Sequence, residues 1–161
     1  MNSKYSSGQD ILTPLQRAYC MSRIKGENTK PEMAVRKFLH AAGFRFRLHK
    51  KDLPGRPDLV LAKYRLAIFV HGCFWHRHTD CAYASVPSSN QEFWLAKFSR
   101  NVERDSEQYA TLRNIGWRIL IIWECGLKIE MNKIGEVIPI ILDDTTFATW
   151  PDKPPKPTRF I

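Results

Sequence analysis

Three short apolar runs without alternating polar residues constrain the fold more than any other feature of the sequence. They span Asp58–Ala62, Leu66–Val70 and Trp117–Trp123. A strand with one face in solvent alternates apolar and polar residues, so these runs indicate strands buried on both faces of a sheet. Helical patterns precede, separate and follow them. We therefore predict an α/β domain of three layers, in which helices flank a central mixed β-sheet.

Helix-start signals give the bounds of the first two predicted helices. Thr13–Gln16 and Thr29–Glu32 each combine a threonine N-cap, a proline in the first turn and a Gln or Glu that closes a capping box. The first helix is predicted to reach about Lys25, and the second to stop at Gly43. Phe44–Leu48 then alternates apolar and basic residues, which predicts a half-buried strand.

A third capping box at Ser89–Glu92 predicts a long helix that Gly116 ends. Residues at three- and four-residue steps form one mixed face of this helix: Trp94, Phe98, Asn101, Asp105, Tyr109 and Leu112. A short helix is predicted within residues 133–142, although Pro139 limits its length.

The length of 161 residues suits one domain. We predict a flexible N-terminal arm (1–12), a single domain (13–149) and a Pro-rich extended tail (150–161). No apolar run approaches a membrane-spanning length, and the N-terminus lacks an apolar signal core. These features predict a cytoplasmic protein without a membrane partner.

The charge balance indicates a polyanionic partner. Lys and Arg number 25 against 16 Asp and Glu, and aromatic residues make up 12% of the chain. Basic side chains bind phosphates and aromatic rings stack on bases, so we predict a nucleic-acid partner. The alternative is a basic protein whose charges are merely solvated.

Asp58 opens a buried strand directly after a turn, where its carboxylate can bind Mg²⁺. The alternative is an aspartate that only shapes the turn. The strands on either side of Lys63–Arg65 are predicted to pair as a hairpin, which brings Val70 and His71 close to Asp58. A carboxylate, an imidazole and a backbone carbonyl at one point are typical of a metal-dependent phosphodiesterase site, where histidine is a suitable base.

Two cysteines and two histidines lie within nine residues, and a third cysteine follows the last apolar run. They are Cys73, His76, His78, Cys81 and Cys125. Zinc takes four nitrogen or sulfur ligands, so the loop supplies three and Cys125 completes the site, with one histidine left over. The alternative is a chance grouping of buried thiols and surface histidines.

Phe74 and Trp75 lie between these ligands, and we expect them on an exposed loop. Exposed aromatic residues beside a nucleic-acid site suit stacking against bases. The alternative is that both pack into the core beneath the loop.

Four blocks in this order closely resemble the very short patch repair (Vsr) endonucleases: LPGRPDLV, HGCFWHRH, EFWLAKFSRNVERD and GWRILIIWEC. The resemblance covers roughly residues 13 to 127. It implies a restriction-endonuclease-like fold and an enzyme that nicks one DNA strand beside the thymine of a T:G mismatch left by 5-methylcytosine deamination. It also implies catalytic Mg²⁺, structural Zn²⁺, a bacterial nucleoid-associated protein, and a functional link to a DNA cytosine-5 methyltransferase. One catalytic centre per chain suggests a monomer.

The resemblance also implies roles for individual residues. Asp58 and the Val70 carbonyl correspond to the Mg²⁺ ligands. His76 corresponds to the general base, with His71 and Glu32 assisting. The zinc ligands correspond to Cys73, His78, Cys81 and Cys125. The DNA-contacting aromatic and apolar residues correspond to Met21, Phe74, Trp75 and Trp94.

The sequence departs from the related nucleases at three places. No Glu-x-Lys follows the Pro-Asp pair, so histidine chemistry replaces the lysine. Val70 stands where the family often has threonine, a change that keeps the backbone carbonyl. The loop is one residue longer before Cys81. Two alternatives stay open: a general or restriction-type nuclease of the same fold, and a non-catalytic zinc module that binds nucleic acid.

Overall fold

The computed structural model describes residues 13–157, so the predicted N-terminal arm and the last four residues of the predicted tail lie outside the described residues. The helices are α1 (Pro14–Ser22), α2 (Lys30–Ala41), α3 (Gln91–Asn114), α4 (Glu124–Ile129) and α5 (Val137–Leu142). The strands are β1 (Arg47–Leu48), β2 (Leu59–Leu61), β3 (Leu66–His71), β4 (Arg118–Trp123) and β5 (Phe147–Trp150). Within this range, no helix is both long and apolar enough to cross a membrane.

The five strands form one mixed sheet in the order β1-β2-β3-β4-β5. The first three strands pair antiparallel, and β3, β4 and β5 pair in parallel. The predicted hairpin is confirmed, with Leu59 opposite Ile68 and Leu61 opposite Leu66. Since β3 and β4 run in parallel, the C-terminal ends of both strands, His71 and Trp123, lie side by side.

Both faces of the central strands β2, β3 and β4 are buried, as the unbroken apolar runs predict. On one face, Leu120 and Ile122 of β4 pack with Val35 of α2 and with residues of α5. On the other face, Ile121 packs with Leu112 of α3 and with the buried cysteines. Alternate residues of a strand point to opposite faces, so one apolar strand supplies two cores. The predicted α/β domain of helices around a central mixed sheet is confirmed, and its relation to restriction endonucleases stays a prediction.

The capping signals are confirmed for two helices and wrong for the third. The capping box of Thr13 and Gln16 starts α1, and the Thr29 hydroxyl accepts the Glu32 amide at the start of α2. Helix α3 instead begins after Asn90, which has a left-handed backbone (φ 52°) and makes no side-chain cap. Helix α1 ends at Ser22, before the predicted end at Lys25.

The predicted strand over residues 44–48 is reduced to Arg47–Leu48. The strand ends there because His49 adopts a left-handed backbone, with φ of 45°. Phe44 is nevertheless buried in the core, edge-on to Tyr64.

The C-terminal part contains a strand that the sequence does not predict. The extended tail was expected from residue 150, but Trp150 ends β5 and is only 2% exposed. Its indole N–H donates to Glu136 Oε2. Gly126 permits this packing, because a Cβ there would lie 2.8 Å from the Trp150 ring and 2.6 Å from Pro151 Cδ.

Candidate active site and metal centre

The β2–β3 hairpin places the Asp58 carboxylate at the C-terminal end of β3, where the sequence predicts it. Asp58 Oδ2 accepts the Val70 amide at 2.7 Å, and His71 follows Val70 at the strand end. The carboxylate is therefore anchored to the backbone that also carries the Val70 carbonyl.

Burial changes the acidity of this carboxylate. Desolvation raises the pKa of Asp58 to about 6, and the nearby Glu32 carboxylate adds to the rise, while the Val70 amide opposes it. Because desolvation makes the ionised form of Asp58 unfavourable, a nearby cation would stabilise it.

A cleft of about 570 Å³ opens over this carboxylate. It is lined by Asp58, His71 and His76 from the hairpin and the loop that follows it. Basic side chains also line it: Lys51, Arg56 and Arg104. A carboxylate and imidazoles surrounded by cations suit a phosphodiester backbone, whose phosphates bind basic groups.

His76 is oriented by a carboxylate on α3. Its Nδ1 lies 2.5 Å from Asp105 Oδ2, and Asp105 is 8% exposed. A carboxylate only accepts hydrogen bonds, so in the neutral ring Nδ1 carries the proton and Nε2 keeps its lone pair. This leaves Nε2 able to accept a proton, as a general base requires.

The His71 ring stacks on His76, with centroids 3.6 Å apart and an interplanar angle of 9°. Its Nε2 is hydrogen-bonded to the Tyr109 hydroxyl. Burial lowers the pKa of His71 well below its usual range, and His76 adds to this effect. His71 is thus a neutral ring that supports one face of His76.

Glu32 also reaches the site, and it brings two residues that sequence reasoning missed. Its Oε2 accepts Arg36 Nη2 at 3.0 Å and lies 3.8 Å from His49 Nε2. On the other side, His49 Nδ1 lies 4.0 Å from Asp58 Oδ1. Glu32, His49 and Asp58 therefore form one continuous group beneath the cleft.

Four buried ligand atoms gather where the loop after β3 meets the start of α4. They belong to Cys73, His78, Cys81 and Cys125, and all lie within 4.8 Å of one another. His78 Nδ1 is 3.3 Å from the Cys125 sulfur and 3.6 Å from the Cys73 sulfur. Three sulfurs and one imidazole are a donor set of structural zinc sites.

The acidities of these thiols fit a metal site. The adjacent Cys125 and then burial raise the pKa of Cys73 far above its usual value, and burial raises that of Cys81. Thiols in such surroundings ionise only when a cation compensates the charge, and zinc supplies that compensation. Of the two loop histidines, His78 lies with the cysteines and His76 lies with Asp105.

The sequence is related to known nicking enzymes over most of its length. The family model described as DNA mismatch endonuclease Vsr matches residues 9–83. The type II nicking enzyme V.XorIIP of Xanthomonas oryzae pv. oryzae is 48% identical over 134 residues, which cover 83% of this chain and 97% of the relative. The DNA mismatch endonuclease Vsr of Escherichia coli K12 is 43% identical over 119 residues, covering 74% and 76%.

This chain belongs to the Vsr family. It is therefore an endonuclease, and the alternative of a non-catalytic zinc module is not supported. The type II nicking enzyme V.NmeAIP of Neisseria meningitidis, 45% identical over 74% of this chain and 84% of its own length, is a further relative.

In this Vsr-family chain, the aromatic residues expected on an exposed loop are half-buried. Phe74 packs edge-on against Trp75, Trp94 and Phe98, with centroids 5.0 to 5.5 Å apart. Trp94 itself is only 6% exposed, because the mixed face of α3 covers the loop. The rings therefore pack together while Phe74 and Trp75 stay partly exposed, and their stacking against bases stays a prediction.

Met21 of α1 reaches the same region. It lines a surface cavity of about 320 Å³ together with Cys20, Pro87 and Trp94. The Lys97 ammonium lies 5.1 Å from the Trp75 ring centroid, so a positive charge adjoins the aromatic cluster of Phe74, Trp75, Trp94 and Phe98. The structure thus gathers the predicted DNA-contacting residues beside one another and next to the loop that carries Cys73, His78 and Cys81.

Sequence analysis does not predict four residues of the candidate site, which are Arg36, His49, Asp105 and Tyr109. Asp105 and Tyr109 could have been identified from the sequence, because they occupy the inward face of α3 among aromatic residues. Buried charged or polar residues on an apolar helix face need partners, and here the partners are the two histidines of the site.

Proposed function

We propose that this endonuclease nicks one DNA strand beside the thymine of a T:G mismatch, in a reaction that depends on Mg²⁺. The observation that carries the proposal is the meeting of Asp58, the Val70 backbone and the His76–Asp105 pair in one cation-lined cleft. The T:G preference and the link to a cytosine-5 methyltransferase rest on membership of the family and on the nicking enzymes among the relatives.

The donor chemistry fits Mg²⁺. Asp58 and the Val70 carbonyl offer hard oxygen ligands on one side of the cleft, and Mg²⁺ prefers few carboxylates together with water and phosphate oxygens. When bound, Mg²⁺ supplies electrostatic stabilisation of the negative charge that builds up on the phosphate. The high pKa of Asp58 supports this assignment, because a cation would compensate the buried charge.

His76 performs the proton transfer in this proposal. Asp105 fixes the ring through Nδ1, so Nε2 takes the proton from the attacking water. His71 supports the ring from one face and is itself held by Tyr109, which prevents His76 from turning away. Lys51, Arg56 and Arg104 bind the flanking phosphates and set the strand in the cleft.

The Cys73–His78–Cys81–Cys125 cluster holds structural zinc in the proposal. The metal would fix the loop after β3 to the start of α4, and the loop carries His76 and two rings of the aromatic cluster, Phe74 and Trp75. A rigid support of this kind is what a catalytic group needs to keep its geometry.

The aromatic cluster and Met21 provide mismatch selectivity. Apolar side chains that enter a base stack unstack it at a cost of a few kcal/mol, and a poorly paired step costs less. Within residues 13–157, the cleft holds one such set of catalytic groups, so a monomer cuts one strand per encounter.

The test is nicking of a duplex that carries one T:G pair, against a matched T:A duplex, across several flanking sequences. We expect a single-strand nick beside the mismatched thymine that requires Mg²⁺. Equal cleavage of both duplexes in every context, or cutting of both strands, would favour the restriction-type alternative. His76→Ala should abolish nicking while zinc stays bound, whereas His78→Ala should release zinc.

A further inference from the structure

His49 stands directly after β1, between α2 and the candidate Mg²⁺ ligand. Its backbone is left-handed, with φ of 45°, which is uncommon for a residue with a side chain. Its amide donates to the Asp58 carbonyl at 3.5 Å. The backbone conformation therefore ends β1 and turns the imidazole toward the Asp58 carboxylate.

The guanidinium of Arg36 fixes the orientation of the imidazole. Arg36 is 8% exposed, and its Nη2 lies 2.9 Å from His49 Nε2. A guanidinium only donates hydrogen bonds, so His49 Nε2 must accept. The proton of the neutral ring is then on Nδ1, the atom that lies 4.0 Å from Asp58 Oδ1.

Arg36 is held rigidly in turn. Its Nη1 donates to Asn28 Oδ1 at 2.7 Å, and its Nη2 also donates to Glu32 Oε2 at 3.0 Å. Glu32 Oε2 also accepts a hydrogen bond from the backbone N–H of Asn28. The Arg36 guanidinium already neutralises the Glu32 carboxylate. The Glu32–His49–Asp58 group is therefore not a second metal site.

We propose that His49 is a positioning residue for Asp58, held by Arg36 so that its Nδ1–H faces the carboxylate. The Val70 amide donates to one oxygen of that carboxylate at 2.7 Å, and His49 Nδ1 faces the other oxygen across 4.0 Å, so the two groups favour one orientation of the carboxylate plane for the metal. This inference rests on the proposed Mg²⁺-dependent function. Donors around a metal-binding carboxylate usually change metal affinity or activity by about 10- to 100-fold when removed.

Two substitutions separate this role from a purely structural one. His49→Asn retains an N–H donor at the distance of Nδ1 from the backbone, tolerates a left-handed conformation, and gives up the contact with Arg36. His49→Gln can accept from Arg36 through its carbonyl oxygen, and its N–H donors lie one bond further from the backbone than Nδ1, away from the position that faces Asp58. A positioning role predicts rescue by Asn, and a role in holding Arg36 predicts rescue by Gln.

The first readout is Mn²⁺ binding to the zinc-loaded protein, followed by electron paramagnetic resonance of the free ion. We expect His49→Gln to weaken Mn²⁺ binding at least about 10-fold and His49→Asn to stay within about 3-fold of the wild type. The second readout is nicking at saturating duplex, where His49→Gln should lower kcat and leave the KM for DNA within about twofold.

Asp58→Asn separates failure of this inference from failure of the proposed function. Loss of Mn²⁺ binding in Asp58→Asn with full retention in His49→Gln would overturn the role of His49 alone. Rescue by Gln rather than Asn would also overturn it. Retention of Mn²⁺ binding in Asp58→Asn would overturn both, because the metal would then bind elsewhere.

Discussion

Replacing Asp58 with asparagine should make the Mg²⁺-free protein more stable above neutral pH while it removes activity. The side chain of Asp58 is 17% exposed, and burial raises its pKa to about 6. The amide keeps the shape and can still accept the Val70 N–H, but it carries no charge that must be desolvated. A group kept at a cost to folding is typical of functional sites.

The magnitude follows from the shift in pKa. In the unfolded chain an aspartate titrates near 3.9, so the shift is about 2 units, or about 3 kcal/mol. Because the folded pKa is the higher one, the stability contributed by protonated Asp58 is complete below about pH 4 and is lost as the pH rises through about 6. Between about pH 5 and about pH 8 this single group should remove about 1.4 kcal/mol.

The assay is urea unfolding of zinc-loaded wild type and Asp58→Asn at both pH values. Other titrating groups cancel in the difference between the two proteins. The stability advantage of the variant should therefore be about 1.4 kcal/mol larger at about pH 8 than at about pH 5. Mg²⁺ at about ten times its dissociation constant should stabilise the wild type by about 1.4 kcal/mol and leave the variant unchanged.

Parallel stability curves for the two proteins would show that Asp58 is not desolvated as described. Nicking by Asp58→Asn near the wild-type rate would place the catalytic carboxylate elsewhere. DNA binding by the variant should be equal or tighter, because a negative charge near the phosphates has been removed. Weaker binding would mean that the substitution disturbs the cleft.

Three further predictions concern the zinc cluster, the aromatic cluster and the C-terminal packing. Cys125→Ser should release zinc and lower the melting temperature. The control Cys20→Ser, which changes an exposed cysteine outside the cluster, should do neither. A zinc-free Cys125→Ser protein of unchanged stability would contradict this. Trp75→Ala should reduce nicking of T:G duplexes much more than affinity for unrelated DNA at fixed salt, which rests on phosphate contacts; equal losses would assign Trp75 to general binding. Gly126→Ala should destabilise by about 1–3 kcal/mol in urea unfolding because its Cβ would lie 2.6 Å from Pro151 Cδ and 2.8 Å from the Trp150 ring, whereas Gly135→Ala meets nothing within 4 Å and should be near neutral.

The features that the sequence predicted correctly are those that local patterns specify. Unbroken apolar runs indicate burial on both faces independently of the rest of the chain. The strands β2, β3 and β4 and the β2–β3 hairpin could therefore be predicted. The hairpin then determined the distance between Asp58 and Val70. A threonine followed by a proline likewise caps a helix through contacts within four residues.

The features that were missed depend on contacts between distant segments. β5 has only four residues, and it is a strand because β4 offers an unpaired edge and Gly126 leaves room for Trp150. His49 reaches Asp58 only after β1 pairs with β2, and Asp105 reaches His76 only when α3 crosses the loop. No spacing within one segment carries that information.

The placement of His76 explains why one loop carries both the proposed zinc ligands and the proposed base. His76 lies three residues after Cys73 and two before His78, so a metal at the buried cluster would fix the backbone on both sides of it. From outside the loop, the His78 ring stacks on Trp123 at 4.1 Å, and Asp105 holds the His76 ring. A general base gains little from a suitable pKa if it is misplaced by 1 Å, because proton transfer needs hydrogen-bond distance. Loss of zinc should therefore lower kcat more than DNA affinity, since the cationic side chains of the cleft come from other segments.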